Sequence, residues 1–179
     1  MKTYILIFSL LLSEFAMGQV RSVYDFSLPS LSTNDSIYLS NFRDKKILFV
    51  NSATITSSVS QLSALEQLNK QFKDSGLVIV VCPSNSFGNE NGSNEDILQF
   101  INLQYSPTFL ISKKVYVVGS DAHPLYKWIA SKDQNSIMNY KIRGDFNKIL
   151  VNRQGKIVGV FAENIQPSDE VLIRTIRNN

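Results

Sequence analysis

The chain has 179 residues, 18 Lys and Arg against 15 Asp and Glu, a formal net charge of +3, one His and one Cys. That length is enough for one domain with a real core, and basic residues scattered singly and in pairs exclude a nucleic-acid footprint. One cysteine cannot close an internal disulfide and one histidine cannot build a metal site, so stability must come from packing alone.

Met1-Lys2-Thr3, the apolar run Tyr4 to Leu12 and the small residues Ala16-Met17-Gly18 before Gln19 have the form of a secretory signal peptide. The expectation is a leader over 1–18 and a domain over 19–179, secreted or periplasmic after cleavage. No other segment reaches the length of a membrane span. No cysteine follows the cleavage point, so a bacterial lipid anchor has no attachment atom.

Val23 to Leu28 and Ile37 to Leu39 alternate weakly around the turn-like Ser32 to Asp35, which predicts an N-terminal hairpin. Ile47 to Val50 is a continuous apolar run, as expected of a strand covered on both faces. Ser58 with Gln61 then has the spacing of a capping box. Leu62, Leu65, Leu68 and Phe72 follow at helical period, and Gly76 supplies the stop. A second apolar strand, Leu77 to Val81, makes this a right-handed parallel strand–helix–strand unit.

Ser93 and Asp96 open another predicted helix with Ile97, Phe100, Ile101 and Leu103 as its apolar positions, and Pro124 to Ser131 reads as a short one. Ile149 to Val151, a turn through Asn152 to Gly155, and Ile157 to Phe161 predict an antiparallel hairpin. Pro167 marks the start of a last helix carrying Val171, Leu172, Thr175 and Ile176. Periodicity by itself supports an α/β fold.

The strings along this frame resemble the glutathione peroxidase family. Val50, Asn51 and Ala53 fall on its V-N-x-A-S-x-C-G motif, and Leu65, Leu68, Lys73, Asp74 and Gly76 on the helix that follows. Ser22 to Phe26 resembles S-I-Y-D-F. Asn85, Phe87, Gly88 and Gly92 to Glu95 fit N-Q-F-G and G-S-N-E, and Ala122 to Trp128 is similar to A-H-P-L-Y-K-Y. Phe146 to Lys156 parallels F-x-K-F-L-V-D-R-E-G-K. The resemblance covers essentially all of 22–179. It implies a thioredoxin-like fold: a central mixed sheet flanked by helices, with an N-terminal β-hairpin. It also implies reduction of hydrogen peroxide and organic hydroperoxides, in the response to oxidative stress. The donor would be a thiol such as glutathione or a thioredoxin-like reductant, with no metal or organic cofactor.

The departures fall at the chemistry. The family's reactive cysteine, glutamine, tryptophan and asparagine correspond here to Thr56, Asn89, Gly144 and Asp145, with Asn89 the nearest candidate in a loop one residue short. Peroxide reduction needs an atom that takes up oxygen and is then restored, as sulfur does through sulfenic acid. A threonine hydroxyl has no such ladder and no evident base, and a carboxylate at 145 disfavours a thiolate. The expectation is a degenerate member that binds an unknown small molecule or protein. The competing expectation is a weak thiol peroxidase using Cys82, which otherwise fills space as a small buried hydrophobe. His123 is expected to be structural, Trp128 to be a packing aromatic, and Arg143-Gly144-Asp145 to open a core strand rather than serve adhesion.

Overall fold

The computed structural model describes residues 21–179. The leader expected over 1–18 lies outside the described residues. The predicted N-terminal hairpin is present, with β1 (Ser27–Pro29) antiparallel to β2 (Ser36–Tyr38) and Leu28 opposite Ile37. It is shorter than expected at its start. Val23–Asp25 is a 3-10 turn, because Ser22 Oγ accepts from the Tyr24 N–H while the Asp25 carboxylate accepts from the Ser22 N–H at 2.8 Å. Reciprocal capping of this kind satisfies the local amides better than an unpaired strand would.

β3 (Lys46–Ser52) is buried along its whole length and runs parallel to β4 (Leu77–Pro83), in register from Lys46 opposite Leu77. Between them lies α1 (Gln61–Phe72). Its start departs from the capping box read at Ser58 and Gln61. A 3-10 turn, Ser57–Ser60, comes first and is capped by Thr56, whose Oγ1 accepts from the Ser58 N–H at 3.3 Å. Ser58 Oγ instead donates to the Glu163 carboxylate at 2.5 Å. A charge-assisted bond of that length outcompetes a neutral cap. Gly76, at φ 84°, takes the left-handed turn into β4.

α2 (Asn94–Tyr105) has the reciprocal Ser93–Asp96 cap that its sequence announces. Leu103, expected to face the core, is 73% exposed. It follows the buried Ile101 by two residues, which is about 200° around a helix, so both cannot face one side. β5 (Leu110–Ile111), α3 (Pro124–Ala130), the single turn α4 (Lys132–Asn135), β6 (Lys148–Val151), β7 (Ile157–Phe161) and α5 (Glu170–Asn178) complete the chain. The last helix begins at Glu170 rather than at Pro167, which sits in the preceding turn. That turn is held by the Asp169 carboxylate, which accepts from the Gln166 N–H at 2.8 Å.

Five strands form one mixed sheet in the order β5-β4-β3-β6-β7; the pairs within β5-β4-β3 are parallel, those within β3-β6-β7 antiparallel. Side chains alternate between its faces. Ile47, Phe49, Val80 and Cys82 join α3 and the N-terminal hairpin on one side, while Leu48, Val50, Ile79 and Val81 join α1, α2 and α5 on the other. Both central strands therefore read as unbroken apolar runs. Trp128 is a packing aromatic as expected, its centroid 6.1 Å from that of Phe26 and its Nε1 donating to the Arg21 carbonyl at 2.7 Å.

Leu65 is fully buried in the core between α1 and the sheet. Leu65→Ala is expected to cost about 2–5 kcal/mol in urea unfolding, whereas Leu103→Ala should change stability by less than about 0.5 kcal/mol.

Candidate functional site

In a sheet with parallel strands, ligands gather where loops leave the carboxyl ends. β3 and β4 end at Ser52 and Pro83. β6 runs antiparallel to β3, so the segment that leads into it, residues 143–147, arrives at the same edge. The segment carrying Thr56 is fixed from the second loop. The fully buried Glu90 accepts from the Thr54 N–H at 2.7 Å and the Thr54 hydroxyl at 2.8 Å, and the Ile55 N–H donates to the Asn89 carbonyl at 3.1 Å.

The third segment is tied down by two buried asparagines. Asn51 Nδ2 donates to the Gly144 carbonyl at 3.0 Å, while Asn51 Oδ1 accepts from the Asn147 N–H at 3.1 Å. The Asn147 amide donates to the carbonyls of Arg143, Gly144 and Asp145, and its Oδ1 accepts from the Tyr140 hydroxyl at 2.7 Å. This lattice holds Phe146 at φ 53°, a left-handed conformation that a non-glycine residue keeps only when its surroundings over-determine it, beside Gly144 at φ 88°, which glycine takes without strain.

Asp145 is 2% exposed. One carboxylate oxygen accepts from Asn89 Nδ2 at 2.8 Å, and the other has no hydrogen-bond partner. Burial pushes its carboxyl above the ordinary range; the Asn89 hydrogen bond pulls it partly back, and the charge of Glu163 pushes it further up. Glu163 Oε2 would stand 3.5 Å from a Cβ built on Gly144, so a carboxylate occupies the neighbourhood into which a side chain there would grow. Below it Lys148 is fully buried and donates to the Phe146 carbonyl at 2.7 Å. Burial lowers its ammonium to about 8, against the opposing pull of Glu163 and Asp169.

The structure thus brings Asn89 and Asp145 into direct contact and places Thr56 on the segment tied to Asn89. Thr56 is half-buried, and its hydroxyl oxygen caps the 3-10 turn instead of meeting a base. Gly144 and Asp145 belong to the loop before β6 and not to a strand, since Gly144 and Phe146 have positive φ. The buried Asp145 also leaves the Arg143-Gly144-Asp145 tripeptide without an accessible carboxylate. His123 is the structural cap expected, its Nδ1 accepting from the Leu125 N–H at 3.2 Å at the head of α3.

Cys82 is remote from exposure. It is 0% exposed among core residues that include Trp128, Tyr126 and Ile149, and burial raises its thiol to about 11, offset slightly by the Tyr126 and Ser112 side chains. The Tyr126 hydroxyl approaches without completing a hydrogen bond. Sequence reasoning missed Glu163, Glu90, Asn147 and Lys148. Only the buried strand position of Lys148, a charge inside Phe146 to Val151, offered a signal.

These ends of the strands carry hydrogen-bond acceptors and carboxylates on a mixed α/β sheet of the thioredoxin-like kind. A thiol:disulfide interchange protein of the thioredoxin family from Chlorobium tepidum shares that fold, with TM-score 0.62 and 15% identity, covering 86% of this chain and 91% of its own. The glutathione peroxidase family profile matches residues 23–130. A glutathione peroxidase from Lactococcus lactis is 33% identical over 147 residues, 82% of this chain and 92% of its own length. The crystal structure of Trgpx in apo form superposes with TM-score 0.67 at 28% identity, over 88% of this chain and 96% of that one. The chain belongs to the glutathione peroxidase family.

Three consequences are measurable. Asn89→Ala removes the donor to Asp145, leaves a buried carboxylate wholly unpaired, and should destabilise by roughly 1–3 kcal/mol in denaturant unfolding. Asp145 has a folded pKa above its ordinary 3.8, so its charging penalty is absent below that value and grows to its full size as pH rises through the folded pKa. Asp145→Asn should therefore stabilise at pH 7, by on the order of 1 kcal/mol, with the gain fading toward pH 3.8. For Lys148 the sign reverses. Its depressed pKa makes its contribution to stability rise with pH between about 8 and 10.5, and Lys148→Met should make the slope in pH-resolved melts less positive over that range by removing this contribution.

Proposed function

We propose that this chain is a glutathione peroxidase family protein in which peroxide reduction has been lost and the former reactive site is kept as a binding surface. The observation that carries this is the state of the four corresponding positions: a capping hydroxyl at Thr56, an Asn89–Asp145 pair with an orphaned carboxylate oxygen, and Gly144 backed by Glu163. One anion-stabilising donor is replaced by an acceptor at Asp145, another is lost at Gly144, the Asn89 amide is spent on Asp145, and none of the four carries sulfur. Beside them lies a polar hollow of about 420 Å³ lined by Ser58, Arg143, Ala162, Glu163, Asn164 and Gln166, which suits a small polar molecule or a protein loop. The leader read at 1–18 supports export to a periplasm or the extracellular space. Among the described residues no helix is long and apolar enough to cross a membrane.

The rival reading, a peroxidase running on Cys82 with glutathione or a thioredoxin-like reductant, has the burial and raised pKa of that thiol against it. Peroxide-dependent oxidation of glutathione or thioredoxin, followed on the natural chain beside Cys82→Ser, tests both. The expected result is no turnover above background in either. Turnover that vanishes with the thiol would establish the rival, and turnover that survives without it overturns the sulfur argument altogether. Thr56→Cys should recover little, because the site would still carry the carboxylates of Asp145 and Glu163 and lack the tryptophan and asparagine donors. Turnover at the rate of the Lactococcus lactis protein in that single variant would refute this account of the site.

A further inference from the structure

A second cavity, of about 490 Å³, shares no lining residue with the hollow beside Thr56 and lies between α3 and the chain at residues 139–142. Its walls are apolar: Val117, Val118, Ala122 and Ile142, with Tyr126 and Tyr140. Two polar side chains of the lining are engaged elsewhere, while the Tyr126 hydroxyl is buried against Cys82 without a partner. The Tyr140 hydroxyl donates to Asn147 Oδ1 at 2.7 Å, and Asn139 Oδ1 accepts from the Lys132 N–H at 2.8 Å. The charges at the rim have no partner either. Lys127 and Lys141 both line the cavity and both are exposed, and among the described residues no carboxylate lines it with them. The two ion pairs found among the described residues, Lys70–Glu66 and Arg174–Glu170, involve neither lysine.

An apolar cavity within the ~300–1,000 Å³ range of small-molecule sites, with a few convergent polar groups, has the composition of a ligand pocket. Two ammonium groups without counter-ions fix the sign of the missing charge. We propose that this cavity binds a compact aromatic or branched monocarboxylate, its apolar body against Val117, Ala122, Ile142 and the tyrosine rings and its carboxylate held by Lys127 and Lys141. Burial of the body supplies most of the affinity. The lysines select an anion over an otherwise equal neutral molecule, because exposed charges attract weakly but with a definite sign. The proposal stands apart from the reading of Thr56 and does not depend on whether the protein reduces peroxide.

The test is titration of the full mature chain with 2-naphthoate at low salt, followed by calorimetry, beside its neutral analogue 2-naphthamide. Saturable binding is expected, with the amide at least several-fold weaker, a ratio consistent with roughly 1.4- to 5-fold per exposed ion pair. The double variant Lys127→Ala/Lys141→Ala should lower naphthoate affinity to that of the amide and leave the amide unchanged. Ala130→Phe, at an exposed lining position, should fill the cavity and weaken both. All three positions are exposed, so thermal melts of the variants should match the natural chain. The proposal is overturned by equal affinity for acid and amide, by naphthoate binding indifferent to these variants, or by no saturation up to about 5 mM, a range in which weak pockets still register.

Discussion

The exchange of hydrogen bonds between Asn51 and Asn147 is the constraint from which the rest of the site follows. Asn51 closes β3 and Asn147 precedes β6, and together they hold the carbonyls of residues 143–145 against the end of the sheet. Without those bonds the backbone of Phe146 would have no reason to stay left-handed. With them, Asp145 is driven inward beside Asn89, and its carboxylate becomes a buried group with half its acceptors unmet. The asparagines are neutral and each side chain both donates and accepts, so they build this rigidity without desolvating a charge.

Around that knot the electrostatics run against the chemistry of the family to which the chain belongs. Asp145 and Glu163 are carboxylates, and the one buried cation nearby, Lys148, spends its protons on the carbonyl of Phe146 and, at 3.5 Å, that of Glu163. A peroxidatic sulfur requires the opposite arrangement, with donors converging on an anion. Gly144 shows how coherent the change is. A large side chain restored there would meet both a φ of 88°, which L-residues resist, and the carboxylate of Glu163. Reversal at Thr56 alone leaves these obstacles in place.

The scaffold has meanwhile kept its stability without a disulfide. The central strands are buried on both faces, Glu90 anchors the loop that carries Thr56, and Lys46 reaches from the start of β3 to the Ile176 carbonyl of α5 at 2.7 Å. Each polar group in that set lands on a backbone partner, which is the condition for burying it at tolerable cost. The identity of the residue at position 56 therefore does not propagate into the core. Fold and reactivity rest on different side chains.

The strands and helices were legible in the sequence because each carries a local signal: unbroken apolar runs at Ile47 to Val50 and Leu77 to Val81, the reciprocal cap at Ser93 and Asp96, the glycine stop at Gly76. The motif spacing also singled out Thr56, Asn89, Gly144 and Asp145, of which Asn89 and Asp145 meet directly. The start of α1 was not legible, because Ser58 is claimed by Glu163, a residue far along the chain whose approach no local window reports. Nor was the orphaned oxygen of Asp145, the role of Asn147, or the cavity beside Lys127 and Lys141. Each depends on groups distant in sequence meeting at a loop, where side chains answer to neighbours across the fold and not to the periodicity of their own segment. Local pattern determined the elements and singled out Thr56; only tertiary packing, which brings together groups distant in sequence, decided which charges were buried together.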